Sequence, residues 1–341
     1  MFKADDLRAR VLSLSLTCCL VCCLHLTISF CRAAQTNIDA SVQLTVVIVV
    51  GAPGEEEFGK SFAQWAGSWE KAAGKAGANI ITIGLSPATA VPDREKLQQA
   101  LASEPKQGGE FWLVLIGHGT FDGKEAKFNL RGPDFSASEL ANWLQPFHRP
   151  IAVIDTASCS SPFINKLSAS GRVVISATRS GNEQNFTRFG RYLSEAVTDL
   201  EADLDKDGQT SLLEAFLIAS RRVAEFYQVE GRLATEHPLL DDNGDGLGTP
   251  ADWFRGIRAV KKAKDGAALD GLRAHQFHLL RNEAERNLPS TVRAKRDELE
   301  LAIAKLRESK SQMGEDDYYG SLEKLLLDMA HLYEGIDAKL K

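Results

Sequence analysis

Paired cysteines are what this sequence lacks. Of its six cysteines, Cys18, Cys19, Cys22, Cys23 and Cys31 fall in the first 31 residues, and Cys159 alone lies beyond them. A cystine framework is therefore excluded for the body of the chain. Stability has to come from an apolar core, supplemented by bound metal. A surplus of positive charge is missing as well. The net charge is −6, and the first 33 residues hold four basic groups (Lys3, Arg8, Arg10, Arg32) against two acidic ones (Asp5, Asp6), so the remainder stands near −8. That balance argues against nucleic acid as a partner. Repeats of solenoid length and strongly biased linkers are also absent, while a hydrophobic content of 44% is enough for one large core with a helical appendage.

What is present begins with a basic start, Lys3, Arg8 and Arg10, then an apolar run from Val11 to about Phe30, then Arg32-Ala33-Ala34. This is the order of a secretory signal over 1–33, and it predicts an exported protein, periplasmic or extracellular. The run approaches the roughly 20 residues that span a bilayer, so an uncleaved membrane anchor is the alternative. Ser13, Ser15, Thr17, His25, Thr27 and Ser29 dilute it and favour cleavage near Ala33. Phe30 before Cys31 lacks the small residue of a lipoprotein signal, which makes a lipidated N-terminus the weaker form of anchoring.

From Leu44 to about Ala177, β-branched and apolar runs alternate with amphipathic stretches, the pattern of βαβ units around a parallel sheet. Strands are predicted at 44–50, 79–83, 111–116, 151–154 and 173–176, and helices at 56–75, 93–102 and 136–144. Ser136 and Glu139 open the last helix as a capping box. Helices are predicted again over 187–202 and 211–229. From about Arg255 the composition turns to Ala, Lys, Glu and Leu at helical spacing, as in Leu322, Leu325, Met329 and Leu332. Pro289 and Gly314 divide this stretch into about three helices. The domain layout is then a signal over 1–33, an α/β domain over 40–254, and a helical C-terminal region over 255–341 that packs on itself or receives a protein partner.

Functional groups of open α/β sheets gather beyond the carboxyl ends of the strands. The run from Phe111 ends in Gly117-His118-Gly119, and the next from Ile151 leads through Asp155-Thr-Ala-Ser158 to Cys159. Two neighbouring strands would thus present an imidazole and a thiol at one edge. A thiolate beside an imidazole is an activated nucleophile, and the N–H groups of Gly119 and Cys159 are placed to stabilise an oxyanion. The bland alternatives are a buried apolar cysteine and a turn histidine held by a local hydrogen bond. Joint placement at consecutive strand ends favours the functional reading.

These blocks resemble the legumain and caspase group of cysteine peptidases over about Leu44 to Gly246. The likeness rests on the strand-His-Gly block at 113–119, the strand-Asp-x-Ala-x-Cys block at 151–159, the strand Val173-Val-Ile-Ser-Ala-Thr followed by Glu183, and Phe186-Thr-Arg-Phe-Gly. It implies a caspase/legumain-like open, mostly parallel sheet with flanking helices. It also implies hydrolysis of a peptide or protein substrate, with Cys159 as nucleophile, His118 as general acid and base, and Gly119 as oxyanion donor. The family block reads acid-Ala-Cys-x-Ser-Gly, whereas Asp155 lies four before Cys159 here. The closer register sets Ala157-Ser158 on Ala-Cys and gives the nucleophile position to Ser158. A catalytically inactive, calcium-stabilised binding module is the alternative function.

Asp203-Leu-Asp205-Lys-Asp207-Gly208-Gln209-Thr-Ser211-Leu-Leu-Glu214 fits the EF-hand loop without a gap. Asp203, Asp205, Asp207, Gln209 (by its carbonyl), Ser211 and Glu214 stand at positions 1, 3, 5, 7, 9 and 12, with glycine at 6. A second acidic loop over 241–252 offers Asp241, Asn243, Asp245, the Leu247 carbonyl and Asp252 in the same frame. Its twelfth residue is shorter, and Thr249, Pro250 and Asp252 also suit a helix start. Calcium is the expected cofactor, as a staple or a trigger. Asp122, Asp155 and Glu183 are candidates for selecting a basic side chain, with Arg179 favouring the opposite. His275 and His278 have metal-compatible spacing but no clear third ligand, and read as surface or packing residues.

Overall fold

The computed structural model describes residues 43–265 and 267–340. The expected signal segment and its five cysteines lie outside the described residues. The described residues belong to one compact unit. In chain order its first elements are β1 (Thr45–Val50), α1 (Glu56–Lys75), β2 (Asn79–Ile83), α2 (Asp93–Ser103), β3 (Phe111–Ile116), β4 (Gly119–Phe121), β5 (Ala126–Phe128) and β6 (Phe135–Ser136). Then come α3 (Ala137–Leu144), β7 (Ile151–Asp155), α4 (Ser161–Leu167), β8 (Arg172–Ser176), α5 (Phe189–Ala196) and α6 (Leu212–Val229). The remainder is β9 (Leu239–Asp241), β10 (Thr249–Pro250), β11 (Phe254–Arg255), β12 (Arg258–Ala259), α7 (Leu272–Gln276), α8 (Glu283–Asn287), α9 (Ser290–Ser309) and α10 (Glu315–Leu340).

The five apolar runs are the parallel strands of a seven-stranded sheet ordered β10-β9-β8-β7-β3-β1-β2. Only β9 and β10, at one edge, run antiparallel to their neighbours. Helices cover both faces, so β1, β3 and β7 are buried along their whole length and read as unbroken apolar runs. Alternate side chains serve opposite faces. Ile48, Val114, Ile154 and Ile175 pack under Phe62, Trp65 and Trp69 of α1 and under α5 and α6. Val47, Leu113, Val153 and Val174 pack under α2, α3 and α4. Burial of each such side chain contributes about 1.5–3 kcal/mol.

Three differences from the sequence pattern have physical causes. The helix expected over 187–202 ends at Ala196 and resumes as a 3-10 turn over Leu200–Ala202. Asp199 breaks it, because its carboxylate accepts from the Glu201 N–H and pairs with Arg222 at 2.6 Å, holding Asp199 extended. A small antiparallel sheet, β4-β5-β6, leaves the carboxyl end of β3. After residue 254 the chain forms the β11–β12 hairpin before turning helical, and the helices number four.

The C-terminal segment is docked on the sheet layer. Phe277 meets Trp112 edge to face at 5.7 Å, and the Leu212 N–H donates to the Phe277 carbonyl at 2.8 Å. Arg281 pairs with Glu110 at the start of β3. At that same amino-terminal edge Arg149 is buried against Glu104 at 2.7 Å and donates to the carbonyls of Gln43 and Glu110. The carboxyl-terminal edge is left for the candidate site. Among the described residues no helix is long and apolar enough to cross a membrane.

Candidate functional site

β3 and β7 are adjacent and parallel, so the turns that follow them meet. Their approach is close: a Cβ on Gly119 would lie 2.3 Å from the Ser158 carbonyl oxygen, which admits only glycine. The contact is closed by two hydrogen bonds to Ser158. Its hydroxyl accepts from the Gly119 N–H at 3.1 Å and donates to the Gly119 carbonyl at 3.2 Å. It is therefore Ser158, not Cys159, that faces the His118-Gly119 turn.

His118 stands in an aromatic surround, with the rings of Phe58 at 5.1 Å, Phe62 at 5.2 Å and Phe186 at 6.2 Å. Its Nε2 lies 3.2 Å from the Pro53 carbonyl. A carbonyl only accepts, so Nε2 carries the hydrogen and the neutral ring presents its Nδ1 lone pair. Burial holds the imidazole below its usual value, and the Pro53 carbonyl and Glu55 only partly oppose this. The ring can act as a base. Among the described residues, however, neither the Ser158 hydroxyl nor the Cys159 thiol is hydrogen-bonded to it.

Cys159 faces inward and is 1% exposed, with a left-handed φ of 56°. Its N–H donates to the Glu183 carbonyl at 2.9 Å. Burial, with the Asp155 carboxyl nearby, pushes the thiol up to about 11. A thiolate is the nucleophilic form, so this environment suppresses reactivity at neutral pH. Of the two registers the sequence left open, the structure turns Ser158 toward Gly119 and Cys159 away from it, with both residues buried. Beneath it Asp155 is 1% exposed, accepts from the Ala157 N–H at 3.0 Å and leaves Oδ2 without a partner. Burial raises its carboxyl to about 7.

The other acidic candidates sit elsewhere. Asp122 is exposed and accepts from the Lys124 and Glu125 N–H groups of its own turn. Glu183 is held by His237 at 2.5 Å and accepts from the Arg179 N–H at 3.0 Å. The Pro53 carbonyl, the Phe58–Phe62–Phe186 surround and the Glu183–His237 pair had no signal in the sequence, since each joins distant segments.

The two acidic loops share one backbone turn. Positions 4 and 6 have positive φ in both, at Lys206 (66°) and Gly208 (87°) in the first and Gly244 (83°) and Gly246 (77°) in the second. In both, the first aspartate accepts from the N–H groups at positions 4 and 6: Asp203 from Lys206 and Gly208, Asp241 from Gly244 and Gly246. Residue 3 accepts from residue 5, and residue 5 from residue 7.

Closure differs between the loops. In the first, Glu214 is fully buried, accepts from the Leu204 and Ser211 N–H groups, and forms a capping box with Ser211 at the start of α6. The carboxylates of Asp203, Asp205 and Asp207 come within 4.8 Å of one another, and so do ligand atoms of Asp205, Glu214 and His275. These hard oxygens suit calcium. His275 reaches Asp205 from α7 at 2.9 Å, a partner the sequence did not reveal. In the second loop, Thr249 donates to Asp270 at 2.5 Å, while Asp252 lies in a 3-10 turn over Ala251–Trp253. There Asp252 lines a cavity of about 500 Å³ with Leu217, Val223 and Phe254. Asp242 accepts from Gly271 and Ala274 N–H groups and Asp270 from those of Asp242 and Asn243, so two further carboxylates tie this loop to α7. Burial raises both of them.

No family model and no curated protein matches the chain. Among solved structures it is similar to caspase-1 from Spodoptera frugiperda, at 10% identity and a TM-score of 0.38 over 59% of this chain and 87% of that one. It is also similar to the Drosophila initiator caspase Dronc, at 14% identity and a TM-score of 0.37 over 60% of this chain and 81% of that one. A protein of Geobacter sulfurreducens matches at 13% identity and a TM-score of 0.38 over 58% of this chain and 92% of that one. At such scores and identities no property of these proteins carries over to this chain.

Proposed function

We propose that this chain is an exported, calcium-stabilised binding module on a caspase/legumain-like scaffold, which takes a peptide or protein ligand at the carboxyl edge of its sheet without hydrolysing it through Cys159. One observation carries the reading: Cys159 is buried, its N–H is bound to Glu183, and its thiol is pushed up to about 11. The family-like features that remain are positional. They are the strand-end His118-Gly119 turn, the neutral ring of His118, and Ser158 in the register where the family carries its cysteine.

Export is proposed from the order of residues 1–33 alone. Calcium is proposed at Asp203, Asp205, Asp207, Glu214, the Gln209 carbonyl and Ser211, on the grouping of those carboxylates and the shared turn of the two loops. Asp241, Asn243, Asp245 and the Leu247 carbonyl offer a second position without Asp252. Outside the cytoplasm, where the ion is abundant, such sites would staple a fold whose described residues hold a single cysteine.

Alkylation of the native protein tests the reading. Iodoacetamide should label Cys159 slowly, at a rate unchanged in His118→Ala, and peptide libraries should remain uncut with and without calcium. Rapid labelling of Cys159 that is lost in His118→Ala, together with calcium-dependent cleavage, would restore the cysteine peptidase and overturn the proposal.

A further inference from the structure

A cleft of about 700 Å³ lies between the second acidic loop and α9, within the range of roughly 300–1,000 Å³ that takes small molecules. It opens beside Ser170 and Gly171, ahead of β8, and so at the end of the sheet opposite to His118 and Ser158. Leu269, Leu272 and Leu301 give it an apolar wall, and Leu272 is 38% exposed there. The same lining carries three cations, Lys262, Arg273 and Lys305, and two carboxylates, Asp242 and Glu308. Its sides are braced. Glu308 pairs with Lys262 at 2.7 Å and accepts from the Leu269 N–H at 3.3 Å, and Asn243 of the loop donates to the Ala268 carbonyl at 2.9 Å.

The charges of the cleft differ in how they are engaged. Both carboxylates are occupied: Asp242 by the Gly271 and Ala274 N–H groups, and Glu308 by Lys262 and Leu269. Lys262 is shared with Glu308 and the Ala267 carbonyl. Arg273, by contrast, reaches only the Gln276 Oε1, at 3.4 Å, and Lys305 is exposed with no hydrogen bond or ion pair among the described residues. The surrounding sequence leans the same way. The segments 170–172, 241–245, 261–273 and 301–312 hold eight basic against six acidic side chains, in a chain of net charge −6. Three of those six, Asp241, Asp242 and Asp270, are bound to backbone N–H groups.

We propose that this cleft binds a small amphiphilic carboxylate, its apolar body on Leu269, Leu272 and Leu301 and its carboxylate held by Arg273 and Lys305. The planar guanidinium matches a carboxylate through two parallel hydrogen bonds, and the ammonium adds a second positive charge. The apolar body covers leucine surface that otherwise faces water. A neutral ligand leaves the two cations without a partner, and a cationic one is repelled by them. The proposal is independent of the function assigned to the carboxyl edge of the sheet.

The test is calorimetric titration of the full chain with three probes of one chain length: octanoate, 1-octanol and octyltrimethylammonium. Octanoate should bind, and the other two at least about tenfold more weakly, the worth of a charge-assisted hydrogen bond. Arg273→Gln should raise the octanoate dissociation constant at least about tenfold and leave that of octanol in place. Lys305→Gln, at an exposed residue, should act in the same direction, and it keeps the test valid if circular dichroism shows Arg273→Gln to be unfolded. Ala304→Phe, which fills the cleft from α9, should weaken every probe. Lys264→Gln removes an equal charge from outside the lining and should change nothing. Octanol binding as tightly as octanoate overturns the proposal. So does octanoate binding that ignores both Arg273→Gln and Lys305→Gln or that Lys264→Gln weakens equally, and so does the absence of octanoate binding up to about 10 mM.

Discussion

Replacing Asp155 with asparagine should make the protein more stable, most at pH 8 and less than half as much at pH 5. The carboxyl is 1% exposed, with one oxygen bonded to the Ala157 N–H and the other unpartnered. Its value rises from the ordinary 3.8 to about 7 because burial disfavours the charge. A folded-state value above the unfolded one means that the native state holds the proton more tightly. Stability then falls as pH rises through the window from about 4 to about 7, and stays low above it. The full difference corresponds to roughly 4 kcal/mol, on the order of a third of the total for many domains. Asparagine keeps the acceptor for Ala157 and cannot ionise. Urea unfolding followed by tryptophan fluorescence at pH 5 and pH 8 should show both midpoints dropping between the two, since the buried Asp242 and Asp270 carboxyls remain, with the smaller drop in Asp155→Asn. Parallel profiles for the two proteins would mean that water or a shifted side chain reaches Oδ2, and the reasoning would fail.

Two further outcomes follow from the same residues. Gly119→Ala places a methyl 2.3 Å from the Ser158 carbonyl, so it should lower stability by roughly 1–3 kcal/mol and break the Ser158 contact; an unchanged melting temperature would show that the two turns are not pressed together. Calcium at about a hundred times its Kd should stabilise the protein by about 2.7 kcal/mol, read as a rise in melting temperature, and Asp203→Asn should remove most of that rise. A chain whose melting temperature ignores calcium would end the case for the loops as ion sites.

The parallel part of the fold was legible because burial on both faces writes strands as continuous apolar runs, and β1, β3 and β7 have no exposed residue to interrupt them. The edge strands were not. β9 has three residues and β10 two, too short for any period to register. The turns that carry the candidate residues were legible, whereas the facing of their side chains was not. His118 and the turn after β7 could be placed from strand ends, but whether Ser158 or Cys159 faces Gly119 depends on the backbone twist at Cys159, where φ is 56°. Cysteine carries no sequence sign of that twist. The Pro53 carbonyl was out of reach for a different reason, since backbone acceptors have no residue type.

The two acidic loops show most directly how one pattern of residues serves two structural ends. Their first seven positions impose the same turn, because a carboxylate at position 1 collects N–H groups from positions 4 and 6, and that requires positive φ at both. Glycine meets this at three of the four positions, and Lys206 alone bears the left-handed strain, of order 1 kcal/mol. After the seventh position the loops part. Glu214 is long enough to return to the Leu204 N–H while capping α6, so the first loop closes on itself and a helix starts at once. Asp252 is one methylene shorter than a glutamate and sits in the 3-10 turn after Pro250, and its place in closing the second loop is taken by Asp242 and Asp270, which bind backbone N–H groups across to α7. The first loop thus gathers its carboxylates around one point, whereas the second spends two of its neighbours' carboxylates on backbone. This difference in closure, more than the count of acidic residues, makes the first loop the better candidate for the calcium proposed above.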